Sequence, residues 1–246
     1  MAKSKRSTRA SAAPEPHPTG YFGWSRDPAV GLFAVLPLWL LYEALRLRLA
    51  PNERNGAEAL VLDGLHWLGP QAFTVVRVLL LATVLVAMLS LIERSVPWAR
   101  VTLVTALEGI VYGLMLGPLA AVMATGTWLA QGSAAADFVG SLGAGIFEEA
   151  FFRLGILSLL SLGLVRASAA FGLPRALGVA SAVGISALLF SLFHHLGPGA
   201  QPFTTPVFLF RTMAGLLLGA LFVLRGFGVC VYTHAAYDVH YYLTHP

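Results

Sequence analysis

The stretch Phe147-Glu148-Glu149-Ala150-Phe151-Phe152-Arg153 sets two carboxylates and a guanidinium inside an otherwise apolar segment, residues 138–165. An ionised side chain near a bilayer centre costs roughly 3 kcal/mol, so these three must face protein or trapped water rather than lipid. On an α-helix Glu149 and Arg153 stand at i and i+4 with the acid first, the better order for an ion pair, while Glu148 lies about 100° away round the cylinder. Glu149 thus has a partner on its own helix and Glu148 has none there. A carboxylate poised between desolvation and a neighbouring cation suits a general base. The same charges also fit an ion pair that locks helix packing.

Two more clusters carry ionisable groups within apolar runs. Phe190-Ser191-Leu192-Phe193-His194-His195 places Phe190 and His194 at i and i+4, and His234-Ala235-Ala236-Tyr237-Asp238 does the same for a histidine and a carboxylate. Lipid solvates none of these side chains, so three such clusters on three segments point to one shared polar site.

The elements that would position them are membrane spans. The chain has 246 residues, 57% hydrophobic and 11% charged, with a mean hydropathy of +0.74; soluble domains carry about a quarter charged residues. Such a composition predicts an all-α, polytopic transmembrane helix bundle. Apolar runs of spanning length fall at about 29–49, 72–92, 101–129, 138–165, 176–196, 207–224 and 227–243, about seven spans. Residues 1–28, basic and then Pro-rich, read as a disordered cytoplasmic tail. Residues 57–69 read as an amphipathic interfacial helix within an N-terminal unit, 29–136, and residues 137–246 as the catalytic core. Gly109-x3-Gly113-x3-Gly117 and Gly215-x3-Gly219 are small-residue stripes that let helices approach closely.

The basic N-terminus shares its side with Arg94, Arg100, Arg166, Arg175 and Arg225, which places the N-terminus inside. The net charge of +4 therefore reflects topology, and no nucleic-acid partner is expected. Counting about 1.5 Å per residue from Asp137 puts Glu148 some 16 Å below the outer surface. Cys230 has no second cysteine to pair with, so no disulfide framework exists.

Taken in order, Glu148-Glu149-x3-Arg153, Phe190-x3-His194 and His234-x3-Asp238 resemble the CPBP family of membrane proteases, which includes the type II CAAX prenyl endopeptidases and bacterial Abi-type proteins. The resemblance spans about 138–243. It implies peptide hydrolysis by a positioned water, with Glu148 as general base helped by His194, and His234 with Asp238 holding the scissile carbonyl and its oxyanion. Glu149 with Arg153 would orient Glu148, and Phe190 would support His194. The third motif ends in Asp238 where the eukaryotic enzymes have Asn; an ionised Asp238 would instead fix the tautomer of His234. His195, off the motif spacing, would support from behind.

Cofactor use divides two ways. Glu148, His194 and His234 match a catalytic zinc set, so one divalent metal is an option, but His-Glu-x-x-His is lacking and the metal-free glutamate mechanism is preferred. The partners expected are the lipid bilayer and a membrane-anchored protein or peptide substrate. The Ala/Gly/Leu/Arg-rich composition looks bacterial, which points to a multi-pass protein of the bacterial inner membrane; the resemblance to bacterial members of the family implies processing of a C-terminal sorting or anchor signal. Two other classes fit the same residues: an ion-coupled transporter, and a non-catalytic membrane protein of the bacteriocin-immunity type.

Overall fold

The computed structural model describes residues 20–48, 56–123, 134–196 and 200–244. In order these form α1 (Tyr21–Trp24), α2 (Pro28–Arg46), α3 (Gly56–Trp67), α4 (Pro70–Glu93), α5 (Trp98–Met123) and α6 (Ala134–Gly143). A π-helical stretch follows (Ala144–Glu148 and Ala150–Leu157), then α7 (Ser158–Ala170), α8 (Arg175–Phe193), α9 (Thr205–Arg225) and α10 (Phe227–Thr244). The architecture is the all-α bundle expected, with no strand among the described residues.

Six of these helices are long and apolar enough to cross a membrane: α2, α4, α5, residues 138–170, α8 and α9. Lipid-facing character is plainest on α4, where Val75, Val78, Leu81, Leu85 and Leu89 are all exposed. In water such a face would be a liability; in hydrocarbon it is the expected surface. The seventh expected span is α10, which does not reach the same apolarity. Its residues from Phe227 to Ala235 are buried instead. A helix enclosed by other helices can carry His234 and Asp238 because neighbouring side chains, not lipid, solvate them.

Glycine explains how α10 fits at the centre. A Cβ on Gly109 would stand 2.4 Å from that of Tyr232, one on Gly113 would stand 2.7 Å from Thr233 O, and one on Gly145 would stand 2.8 Å from Val231 O. The Gly109/Gly113 stripe therefore lets α5 lie directly on α10, and Gly145 does the same for the π segment. Gly215 likewise sits against Ala187 of α8. We expect Gly113→Ala to destabilise the bundle by about 1–3 kcal/mol through overpacking. Gly163→Ala, whose Cβ would meet nothing within 4 Å, should instead be neutral or stabilise by up to about 1 kcal/mol through helix propensity. Thermal unfolding of both variants in detergent checks this opposition of sign.

Polar contacts close the end of the bundle that holds α1. Residues 20–28, part of the expected tail, are folded: α1 packs down, Ser25 is buried, and Tyr21 Oη donates to Glu108. Residues 1–19 lie outside the described residues. Arg225 holds Glu108 through Nε and Nη2 at 2.7 and 2.8 Å, and its guanidinium lies 4.3 Å from the centroid of Phe22. Read from the sequence as a loop charge, Arg225 is in fact a buried tie between α9, α5 and α1. The chain then reverses at Gly226, whose φ of +90° lies in the left-handed region that favours glycine.

Asp27 caps α2, accepting from Ala29 N at 3.0 Å and Val30 N at 3.2 Å, and pairs with Arg94 at 2.5 Å. Burial raises its pKa, but the Arg94 hydrogen bond and the two backbone amides outweigh it and hold the carboxyl below its ordinary value. Because the folded pKa is the lower one, the stabilisation is complete above the unfolded pKa and is lost as pH falls through the folded value. Unfolding midpoints should therefore drop in acid for the wild type. In Asp27→Asn that part of the acid dependence should disappear.

The helix α3 is less peripheral than an interfacial reading implies. Its Glu58 is buried, accepts from Tyr42 Oη, and lies 3.7 Å from Arg46 Nη1, so α3 is pinned to α2 by a polar contact. The stretch 124–133, which includes the end of the third expected span, lies outside the described residues.

Candidate active site

The two glutamates lie on a helix that departs from α-helical winding. From Ala144 to Leu157 the backbone is π-helical around Glu149, with i→i+5 spacing of the kind that recurs at functional sites. Looser winding weakens the carbonyl ladder, and hydroxyls compensate. Ser158 Oγ donates to Arg153 O at 3.0 Å and Ser186 Oγ to Phe152 O at 3.0 Å, as Ser side chains do where membrane helices are distorted.

Glu149 is fully buried and fully engaged. Its Oε1 meets Arg153 Nη1 at 2.9 Å and His234 Nδ1 at 2.6 Å, and its Oε2 accepts from Cys230 Sγ at 2.9 Å. Arg153, also buried, donates through Nη2 to Gly215 O at 3.3 Å and lies 4.5 Å from the centroid of Phe190. Phe190 in turn packs edge-on against His194 and His234, with centroid separations of 5.0 and 5.8 Å. One aromatic ring thus separates the guanidinium from both imidazoles.

Glu148 points the other way, into the space between the histidines. Its Oε2 is 3.6 Å from His194 Nε2 and 4.0 Å from His234 Nε2. His234 Nε2 is also 3.5 Å from Asp238 Oδ2. The structure therefore brings Glu148, His194, His234 and Asp238 together, with Glu149, Arg153 and Phe190 behind them. Side-chain exposure is 23% for His194 and 20% for Asp238 but 7% for Glu148 and none for Glu149. Access is from the side of His194 and Asp238.

Hydrogen-bond partners set the tautomers. His194 Nδ1 lies 2.9 Å from Phe190 O, and a carbonyl only accepts, so Nδ1 carries the hydrogen and Nε2 presents a lone pair toward Glu148. His234 Nδ1 donates to Glu149 in the same way, leaving its Nε2 facing Glu148 and Asp238. The carboxylate that fixes the His234 tautomer is thus Glu149, whereas the sequence suggested Asp238; Asp238 lies at the opposite nitrogen. His195 is turned away, with Nδ1 3.1 Å from Gln201 O and its ring 5.2 Å from that of Phe203.

Among the described residues, no group of three or more His, Cys, Asp or Glu side chains is arranged to hold a metal ion. Glu148, His194 and His234 as they stand form no such group.

Three contributors escaped the sequence reading. Cys230, taken only as a lone thiol, is the hydrogen-bond donor to Glu149. Gln201 donates its N–H to His194 O at 3.1 Å. Arg211, inside the apolar run 207–224, donates through Nη2 to Gln201 Oε1 at 2.8 Å. The signal for Arg211 was available, since an ionisable residue within a span is a functional candidate wherever it occurs.

A polytopic helical membrane protein with an enclosed cluster of acids and imidazoles is the class that fold and site define. Residues 130–240 match the family model described as type II CAAX prenyl endopeptidase Rce1-like. This stretch, which holds every residue of the cluster, is similar to the CAAX-type proteases, a family whose reaction class is peptide-bond hydrolysis. The helices before residue 130 lie outside the match. No curated protein and no solved structure matches the chain.

Proposed function

We propose that this protein is an intramembrane endopeptidase in which Glu148 activates water for attack on a peptide bond of a membrane-anchored protein or peptide. The observation that carries this reading is the convergence of Glu148 Oε2 with the Nε2 atoms of His194 and His234. A water between Glu148 and His194 would meet two proton acceptors held by groups that fix their orientation. Glu148 takes the proton as the water oxygen bonds to the carbonyl carbon, then returns it to the departing amine nitrogen. His234 and Asp238 face the entrance, where they orient the scissile peptide. Glu149, Arg153 and Phe190 hold the two working surfaces in register.

The substrate proposed is a C-terminal sorting or anchor segment reached from the outer leaflet of a bacterial inner membrane, in keeping with the arginine distribution. The test compares cells carrying and lacking the protein, following the termini of membrane-anchored proteins by mass spectrometry. Accumulation of an uncut precursor only in cells lacking the protein is the expected result. An unchanged terminal profile, or a C-terminus found in the cytoplasm by reporter fusion, would overturn the substrate assignment.

A further inference from the structure

The site as assembled is rich in acceptors and poor in donors. Glu148 and Asp238 are carboxylates, His194 Nε2 presents a lone pair because its Nδ1–H is spent on Phe190 O, and both ring nitrogens of His234 face carboxylates, Nδ1 that of Glu149 and Nε2 those of Glu148 and Asp238. Arg153 lies behind the site, turned to Glu149, Gly215 O and the Phe190 ring. Attack on a carbonyl places a new negative charge on its oxygen, and each donor among these groups is already directed at a carboxylate, a carbonyl or a ring.

Arg211 can answer that charge. It lies one and a half turns into α9, half-buried, and its charge acts on Glu148 and Asp238 and on His194. Among the described residues it forms no ion pair within 4.0 Å, and its buried Nη1 has no hydrogen-bond partner. Its Nη2 is tethered to Gln201 Oε1 at 2.8 Å, and Gln201 is itself fastened to His194 O at 3.1 Å. The guanidinium is thereby held in register with His194 while keeping one amino group in hand.

We infer that Arg211 is a catalytic residue that donates from Nη1 to the oxyanion of the tetrahedral intermediate, with Gln201 as its positioning residue. In the step concerned, the water O–H proton passes to Glu148 as the oxygen–carbon bond forms, and the carbonyl π pair moves onto the oxygen beside Arg211. Collapse restores the carbonyl and breaks the C–N bond, and the nitrogen takes the proton from Glu148. Atoms and charge balance without any further reactant.

This inference rests on the proteolytic reading, and the test separates the two. Full-length protein reconstituted in liposomes is mixed with membranes from cells lacking it, and loss of the accumulated precursor is timed. Arg211→Ala should lower kcat by about 10²- to 10³-fold, the usual effect of losing one oxyanion donor, with KM within about twofold of wild type. Guanidinium chloride at millimolar concentration should restore part of that rate, and sodium chloride at equal concentration should not. Arg211→Lys, which keeps the charge and the fold, should fall between. Wild-type turnover in Arg211→Ala, a loss confined to KM, or a loss that guanidinium does not rescue would each overturn the assignment. If Glu148→Gln cuts at the wild-type rate, the proteolytic reading itself fails.

Discussion

Replacing Glu148 by Gln is expected to lower cleavage by about 10²- to 10⁴-fold, the usual contribution of a positioned general base. The amide has the shape of the carboxylate and its N–H can donate to the Nε2 lone pair of His194, 3.6 Å from the present oxygen. The helix bundle should therefore stay folded while the proton acceptor is lost. Rate constants for precursor cleavage, set beside thermal midpoints of the purified protein, check both halves. A variant as active as wild type would assign Glu148 to structure. A variant that no longer folds would leave Glu148→Asp as the comparison, since the shorter acid keeps the charge but withdraws the oxygen from the histidines.

What the sequence made legible was chemistry at fixed spacing. Phe190-x3-His194 and His234-x3-Asp238 sit on regular helices, so i and i+4 place their side chains on one face. The spacing of the motif that carries the family resemblance selected His194, and His195 lies about 100° away from it. Glu149 and Arg153 also meet, although the helix between them is π-wound, because both side chains are long enough to absorb the difference. The winding itself was not legible: it depends on hydroxyls from Ser158 and Ser186, the latter contributed by another helix. Hydropathy counted α10 among the spans but did not place it at their centre, since composition does not record whether a side chain faces lipid or protein. Cys230 and Gln201 act through contacts that no spacing rule anticipates.

Removing Arg153 should have the largest effect on stability. Arg153→Met keeps much of the volume but leaves Glu149, fully buried, without its cation, and breaking one side of a buried pair costs about 3–5 kcal/mol. The His234 Nδ1–H and Cys230 Sγ–H bonds to Glu149 remain, but they do not replace the guanidinium. Loss of the Phe190 contact adds to the deficit, about 1 kcal/mol on the scale of cation–π pairs. The double variant Arg153→Met with Glu149→Gln should recover most of that stability, because no uncompensated charge is left inside the bundle. The amide oxygen introduced by Glu149→Gln can still accept from His234 Nδ1, so the tautomer survives. Denaturation of the single and double variants measures the coupling, and cleavage by the double variant then decides what the Glu149 charge does for the reaction. Activity near wild type would make the pair a structural tie that holds His234 in place, whereas a stable but slow double variant would show that the charge on Glu149 acts through the His234 ring on the reacting groups.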